Sequence, residues 1–382
     1  MIKRIEILFI TIIITGVLFI SGCGRVAVPE YSSSDVMLEA FDEYCMTYNI
    51  SNAEVRLVDG TGETLWDARY GESEGDSLFA AASITKMFTA AVIFNLDEKA
   101  LLSLDDCIDS YLPDGIVDGI AVIDGIDYSH EITVRELLSH TSGIADYFSE
   151  NSDKYISIRS ESYYKNDVLY DFDLALDMTR QLEAHFEPGE DDQAYYSDFN
   201  YQLLGKIIET VTGQSLEYNY DKYIISPAGL DDTFLFEPGM DWGDILPIDM
   251  PCGTTTRPLM ESGERSAGGL ISTVDDLSRF IQSYMDGELF DISYFEEIYD
   301  FTSLGVGRPD YGLGLMRYDD NYELYGHTGS FGSELFYCPD LDIYIICSAN
   351  NCSNAKNMNL IEYLLDCYAR RYFFWHRTAT QP

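Results

Sequence analysis

The spacing of apolar residues changes several times along the chain, and each change marks an element. Residues 7–20 (ILFITIIITGVLFI) are apolar except for two threonines and one glycine. That run is short for a bilayer span and suits the core of an export signal. Residues 35–48 put Met37, Phe41 and Tyr44 or Cys45 on one face, with Ser34 or Asp35 as cap, which predicts a helix. Residues 53–59 and 62–70 alternate around Asp59-Gly60-Thr61-Gly62, a hairpin signal. A helix-like run follows Ser83 through Leu96, and residues 134–139 add a turn or two. Residues 144–195 are tyrosine-rich, acidic and poorly periodic, predicting an irregular helical region. Residues 200–213 form an amphipathic helix stopped by Gly213. Residues 274–285 form another, opened by Thr273 with Asp276 three positions on. From 311 to 349 short extended runs broken by turn residues predict an antiparallel meander, and 357–375 close the chain as a helix.

Strands near both ends with helices between predict an α/β chain of the α+β type. One antiparallel sheet is formed by both termini, flanked by helices, with a mainly helical insert. The expected division is 1–22 signal, 23–34 tether, 35–375 folded domain and 376–382 tail. Within the domain, 35–105 and 255–375 form the α/β part and 106–254 the insert.

Charge narrows the function. The 382 residues carry 66 acidic against 23 basic side chains, a formal net charge of −43. Nucleic acid is excluded as a partner, because no basic stripe is available to replace phosphate counterions. A polybasic contact with anionic lipid is excluded likewise. A content of 46% hydrophobic and 14% aromatic residues argues against disorder.

The apolar run ends in Ile20-Ser21-Gly22-Cys23, which resembles the lipobox of a bacterial lipoprotein. The resemblance implies cleavage before Cys23, lipid on Cys23, and a domain held at the outer face of a membrane. Seven further cysteines follow, an odd number outside the cytoplasm. They read mostly as core residues, with Cys347–Cys352 or Cys338–Cys352 as possible pairs. No CxxC pair and no zinc-spaced histidine cluster calls for a metal, and no cofactor is expected.

Ser-x-x-Lys places a hydroxyl and an amine on one helix face. A desolvated lysine has a depressed pKa and can take the serine proton. Ser83–Lys86, Ser162–Lys165 and Ser353–Lys356 all fit the spacing. Only Ser83–Lys86 sits in an apolar frame, LFAAASITKMFTAAVIF; the other two have polar flanks. Tyr164-Lys165-Asn166 is a strict Tyr-x-Asn in the polar segment, and Tyr196-Ser197-Asp198 a looser one before the amphipathic helix. His327-Thr328-Gly329 is a His-Thr-Gly on a predicted strand.

In order, SITKMFTAAVIFNL, LSLDDCIDSYLPD, ITVRELLSHTSGI, YYSDFNYQLLGKIIETVTG, SAGGLISTVDDLSRF, YGLGL and YGHTG resemble the serine β-lactamase and penicillin-binding protein family. The nearest branch holds class C β-lactamases, D-Ala-D-Ala carboxypeptidases and related esterases. The resemblance implies that Ser83 is the nucleophile and Lys86 supports proton transfer. It makes Tyr196 the general base and acid. The backbone N–H groups of Ser83 and Ser330 would form the oxyanion hole. His327, Thr328 and Gly329 would bind substrate from an edge strand by main-chain pairing. His140 in LLSHTSG reads as structural, holding the loop after its helix.

Two positions depart from the family pattern. Asp198 stands where asparagine is usual, and a carboxylate there favours a charged Lys86 and disfavours a tyrosinate at Tyr196. His327 stands where lysine is common, and an unperturbed histidine is mostly neutral near pH 7. The fixed cation for a substrate carboxylate is then missing, which argues against an efficient β-lactamase. Arg317 is a candidate replacement. The run from Pro188 to Tyr196 is long and would reshape the rim near Asp191 and Asp192.

The resulting expectation is an exported serine hydrolase acting through an acyl-enzyme, with D-Ala-type peptidoglycan peptides as the small-molecule or peptide substrate. A class C-like β-lactamase, an esterase and a slowly acylating penicillin-recognising sensor remain open. An anionic substrate would be repelled by this chain, so its kcat/KM should rise with salt.

Overall fold

The computed structural model describes residues 33–71, 76–352 and 360–369. The expected signal, Cys23 and nearly all of the tether lie outside them, as do the pair Ser353–Lys356 and the tail.

Eight antiparallel strands form the main sheet, in the order Thr302–Ser303, Asp310–Tyr311, Met316–Asp319, Glu323–Thr328, Ser333–Cys338, Ile343–Ser348, Ala53–Asp59 and Thr64–Tyr70. The first strand in sequence thus pairs with the last, Val55 opposite Cys347, so both ends of the chain build one sheet. Alternation along the strands feeds two cores. Leu57, Phe336 and Ile345 point to one face, under the helix Ser33–Thr47 and the helical residues 360–369. Val58, Leu335 and Ile346 point to the other, where the large helical core lies. Phe88 and Phe280 stack there at 3.8 Å between ring centres, joining the helices Thr85–Glu98 and Val274–Met285.

The capping signals are realised. Thr273 accepts a hydrogen bond from the Asp276 N–H, and Gly213 ends the helix Asp198–Thr212 in the left-handed region, at φ 64°. The irregular stretch 144–195 contains only two short helices, Ile158–Ser162 and Phe172–Thr179. A second sheet is absent from the sequence reading. Its strands Phe79–Ala80, Leu270–Ser272 and Phe234–Leu235 are two or three residues long, too short to show a period. The expected pairs Cys347–Cys352 and Cys338–Cys352 are not formed: every cysteine among the described residues is a free thiol. Cys338 and Cys347 are buried core side chains on neighbouring strands.

Candidate active site

Ser83 sits in a single 3-10 turn, Ala82–Ile84, that leads directly into the helix Thr85–Glu98. Ala82 is held at φ 49°, a strained value for a residue with a side chain. The turn is pinned from below by the small sheet: Ala81 N–H donates to Leu270 O at 2.8 Å, and Leu270 N–H donates to the Thr85 hydroxyl at 3.1 Å. Lys86 follows one helical turn later and is completely buried.

The lysine ammonium has three N–H donors, and each has an acceptor. Its Nζ lies 3.1 Å from Ser83 Oγ, 2.5 Å from Asp198 Oδ1 and 2.6 Å from Ala267 O. Burial pulls its pKa down, but the Asp198 charge, then Tyr196, more than offset this and hold it above the ordinary lysine value. Lys86 is desolvated as expected, but its pKa is not depressed: it is a cation donating to the serine, because the Asp198 carboxylate from a distant helix meets it.

Asp198 is the first residue of the helix Asp198–Thr212, and Tyr196 lies two residues before it. The Tyr196 ring centre is 4.9 Å from Lys86 Nζ. Burial pushes its phenol up to about 12; Lys86 pulls back, and Asp198 adds to the rise. His140 holds this segment in place. It sits at φ 61°, and its Nδ1 accepts from Ser197 N–H at 3.2 Å and from the Asn200 amide at 3.0 Å. Both partners are donors, so Nδ1 is the unprotonated nitrogen. The structural reading of His140 fits this geometry.

The His-Thr-Gly strand needs a correction. Glu323–Thr328 is interior to the sheet, paired on one side with Met316–Asp319 and on the other with Ser333–Cys338. The first of these pairings ends at Gly326, so only His327 and Thr328 run past their neighbour and present an open backbone edge. Gly329 has no room for a side chain: a Cβ would lie 2.0 Å from Ser333 Oγ and 2.5 Å from Ala81 O. That close approach brings the 328–330 backbone beside Ser83. No backbone acceptor takes the N–H of Ser83 or Ser330 among the described residues.

The His327 side chain does not serve as the expected substrate contact. It is buried, with Nε2 3.0 Å from the Tyr311 hydroxyl and Nδ1 2.7 Å from Thr328 O. Burial, reinforced by Lys86, pushes its pKa down to about 3, so it is neutral. Arg317 is not a replacement, because it binds Asp310 at 2.6 Å and stacks on Phe301. The rim residues Asp191 and Asp192 are exposed and outside the cavity lining. In the other Ser-x-x-Lys of the described chain Ser162 is buried, but Lys165 is exposed and paired to Glu161 at 2.9 Å, so the two do not form a buried pair.

A cavity of about 300 Å³ opens over these groups. Ser83, Tyr196, Asp198, Thr328, Gly329 and Ser330 line it, so six of the expected site residues share one space. Lys86 lies beneath the serine and His327 behind the strand. The cavity also holds groups that the sequence reading missed. Arg159 and Arg308 line it, and neither forms an ion pair with a carboxylate among the described residues. Arg159 lies 5.6 Å from the Phe148 ring centre and 5.8 Å from that of Tyr163. Asp146 is buried there, accepting from Asp198 N–H at 3.1 Å. Burial, then the Asp198 charge, raises its pKa to about 7. Arg159 belongs to a five-residue helix and Arg308 to a turn, so neither has a periodic context to single it out.

The Beta-lactamase family model matches residues 47–367. The chain belongs to the beta-lactamase family. It has the main antiparallel sheet flanked by helices, and it brings Ser83, Lys86 and Tyr196 together. It is 27% identical over 310 residues to penicillin-binding protein 4* of Bacillus subtilis (strain 168), covering 73% of this chain and 63% of the relative. It is 26% identical over 318 residues to protein flp of Staphylococcus aureus (strain COL), covering 79% and 58%. The chain thus spans about six-tenths of the length of these curated relatives. A D-stereospecific amidohydrolase from Streptomyces sp. superposes with a TM-score of 0.71 at 26% identity, covering 87% of this chain and 98% of that one. The D-amino acid amidase of Ochrobactrum anthropi SV3 gives a TM-score of 0.75 at 21% identity, with 89% and 99% covered, and shares the fold.

Proposed function

We propose that this beta-lactamase-family protein hydrolyses amide bonds of D-configured peptides that carry a free carboxylate, of the D-Ala-D-Ala type, through an acyl-enzyme on Ser83. In this reading Ser83 Oγ attacks the carbonyl carbon and the N–H groups of Ser83 and Ser330 hold the oxyanion. Such donors contribute roughly 2.7–4 kcal/mol each in other enzymes. Lys86 and Tyr196 move the proton from Ser83 to the departing amine. The open edge at His327–Thr328 pairs with the substrate backbone.

The observation that carries the substrate class is the pair Arg159 and Arg308 in the same cavity as Ser83. They supply the cations that a buried, neutral His327 does not. The similarity to a protein named as a D-stereospecific amidohydrolase supports D-configured amides.

The experiment is a panel of D-Ala-D-Ala peptides, their C-terminal amides, β-lactams and p-nitrophenyl esters. The free peptide is expected to be preferred over its amide about tenfold or more in kcat/KM. Arg308→Ala should erase most of that preference by raising KM. Added salt should help the free peptide and leave the neutral ester little changed. Equal rates for peptide and amide would sink the carboxylate reading. Rapid turnover of a chromogenic cephalosporin would favour a β-lactamase, and a stable adduct without turnover a sensor.

We also propose that Cys23 carries lipid and holds the protein outside the membrane, on the strength of the Ile20-Ser21-Gly22-Cys23 motif. Metabolic labelling with a fatty acid should mark the wild type and not Cys23→Ser. Labelling of both would refute it.

A further inference from the structure

A second, smaller cavity of about 40 Å³ adjoins Ser83. A water needs roughly 10–15 Å³ by this measure, so the space suits two or three waters and no substrate group of any size. Its wall includes Ser83, Ser330, Tyr196, Asp198 and Glu264. Ser83 and Ser330 are the proposed oxyanion donors. An acyl carbon bonded to Ser83 would therefore sit at the mouth of this space.

Glu264 is the unexplained group in it. The side chain is buried, on the helix Pro258–Gly268, with only 6% of its surface exposed. Burial, then the charge of Asp198, raises its pKa to about 8, with Lys86 opposing. Near neutral pH it is an uncharged carboxyl that both donates and accepts. Its backbone is fixed by Gln202, whose amide donates to Gly263 O at 2.9 Å and to Glu264 O at 3.0 Å. The next residue, Arg265, breaks the helix at φ 38°, ψ −117°, a strained conformation of the sort that gathers at functional sites. Gly268 lines the same cavity, and a Cβ on it would stand 3.1 Å from the Glu264 carboxyl oxygen. The absence of a side chain at 268 keeps space open beside Glu264.

We propose that Glu264 positions the water that hydrolyses the acyl-enzyme, holding it in this small cavity against the carbonyl carbon. The carboxyl accepts one hydrogen of the water and so aims its oxygen. The oxygen bonds to the acyl carbon and the ester bond to Ser83 Oγ breaks. The displaced water proton returns to Oγ through Tyr196 and Lys86, releasing the carboxylic acid and restoring the serine hydroxyl. This rests on the reading of Ser83 as nucleophile and adds a residue specific to the second half of the reaction.

Burst kinetics with a p-nitrophenyl ester on the full chain separate the two halves. Glu264→Met, similar in volume but without an acceptor, is expected to slow deacylation at least tenfold while acylation stays within about threefold. Intact-mass spectra should then show the acyl adduct accumulating. Glu264→Gln restores an acceptor at the same place and should recover most of the deacylation rate. Gly268→Ala, which intrudes on the cavity, should slow deacylation selectively and serves where the methionine variant fails to fold. Wild-type deacylation in the variant measured, or equal losses in both steps, overturns the proposal. Wild-type protein that forms no adduct on Ser83 overturns the nucleophile reading as well.

Discussion

Ser83→Ala is expected to lower hydrolysis of every substrate in the panel by about 10³- to 10⁶-fold and to abolish labelling by a fluorescent penicillin. The range follows from serine hydrolases in which removal of the nucleophile leaves only binding and oxyanion stabilisation. The structure makes this a clean test. Ser83 is half-buried in a turn fixed by backbone bonds from Ala81, so losing Oγ removes one contact to Lys86 and leaves the fold in place. Unchanged melting with lost activity is the expected pair of results. Retained hydrolysis would place the chemistry on another residue.

Asp198→Asn is expected to raise the acylation rate at pH 7 about tenfold or more. In the wild type all three protons of the Lys86 ammonium have acceptors, and the Asp198 charge keeps that form favoured. The serine proton then has no ready acceptor, and acylation should climb as pH rises toward the raised lysine pKa. Without the carboxylate, burial is no longer offset and pulls Lys86 down, so the neutral amine appears at lower pH. The rising limb of the pH–rate profile should move to lower pH in the variant, each unit representing 1.36 kcal/mol of differential interaction. Stability should fall, because breaking a buried pair costs about 3–5 kcal/mol when one charge stays unpaired. The loss should be greatest at low pH, where Lys86 is forced to remain charged. A large loss of acylation at every pH would show that Asp198 assists proton transfer.

These two expectations differ in where they came from. The Ser83 test was available from the sequence, since an apolar frame around Ser-x-x-Lys already implied a buried lysine. The sequence also marks Asp198 as unusual, and its charge raises the Lys86 pKa. The 2.5 Å contact was not legible, because its partners are 112 positions apart. The same holds for Arg159, Arg308 and Glu264: each is an ordinary charged residue in its local sequence until the chain folds around Ser83.

The sequence by itself determined the elements with a clear period: the opening hairpin, the amphipathic helices at 200–213 and 274–285, and the closing meander. It also singled out Ser83, Lys86, Tyr196 and His327 as candidates for the site. Those signals are local, because burial on one face dictates which side chains recur at 2 or 3.6 positions. Tertiary structure alone decided how each group is charged and what it faces. It seated His327 behind its strand as a neutral ring, gave Lys86 a counter-ion, and supplied two arginines to the cavity. Protonation and recognition depend on desolvation and on charges a few ångströms away, and those neighbours come from parts of the chain that no local pattern connects.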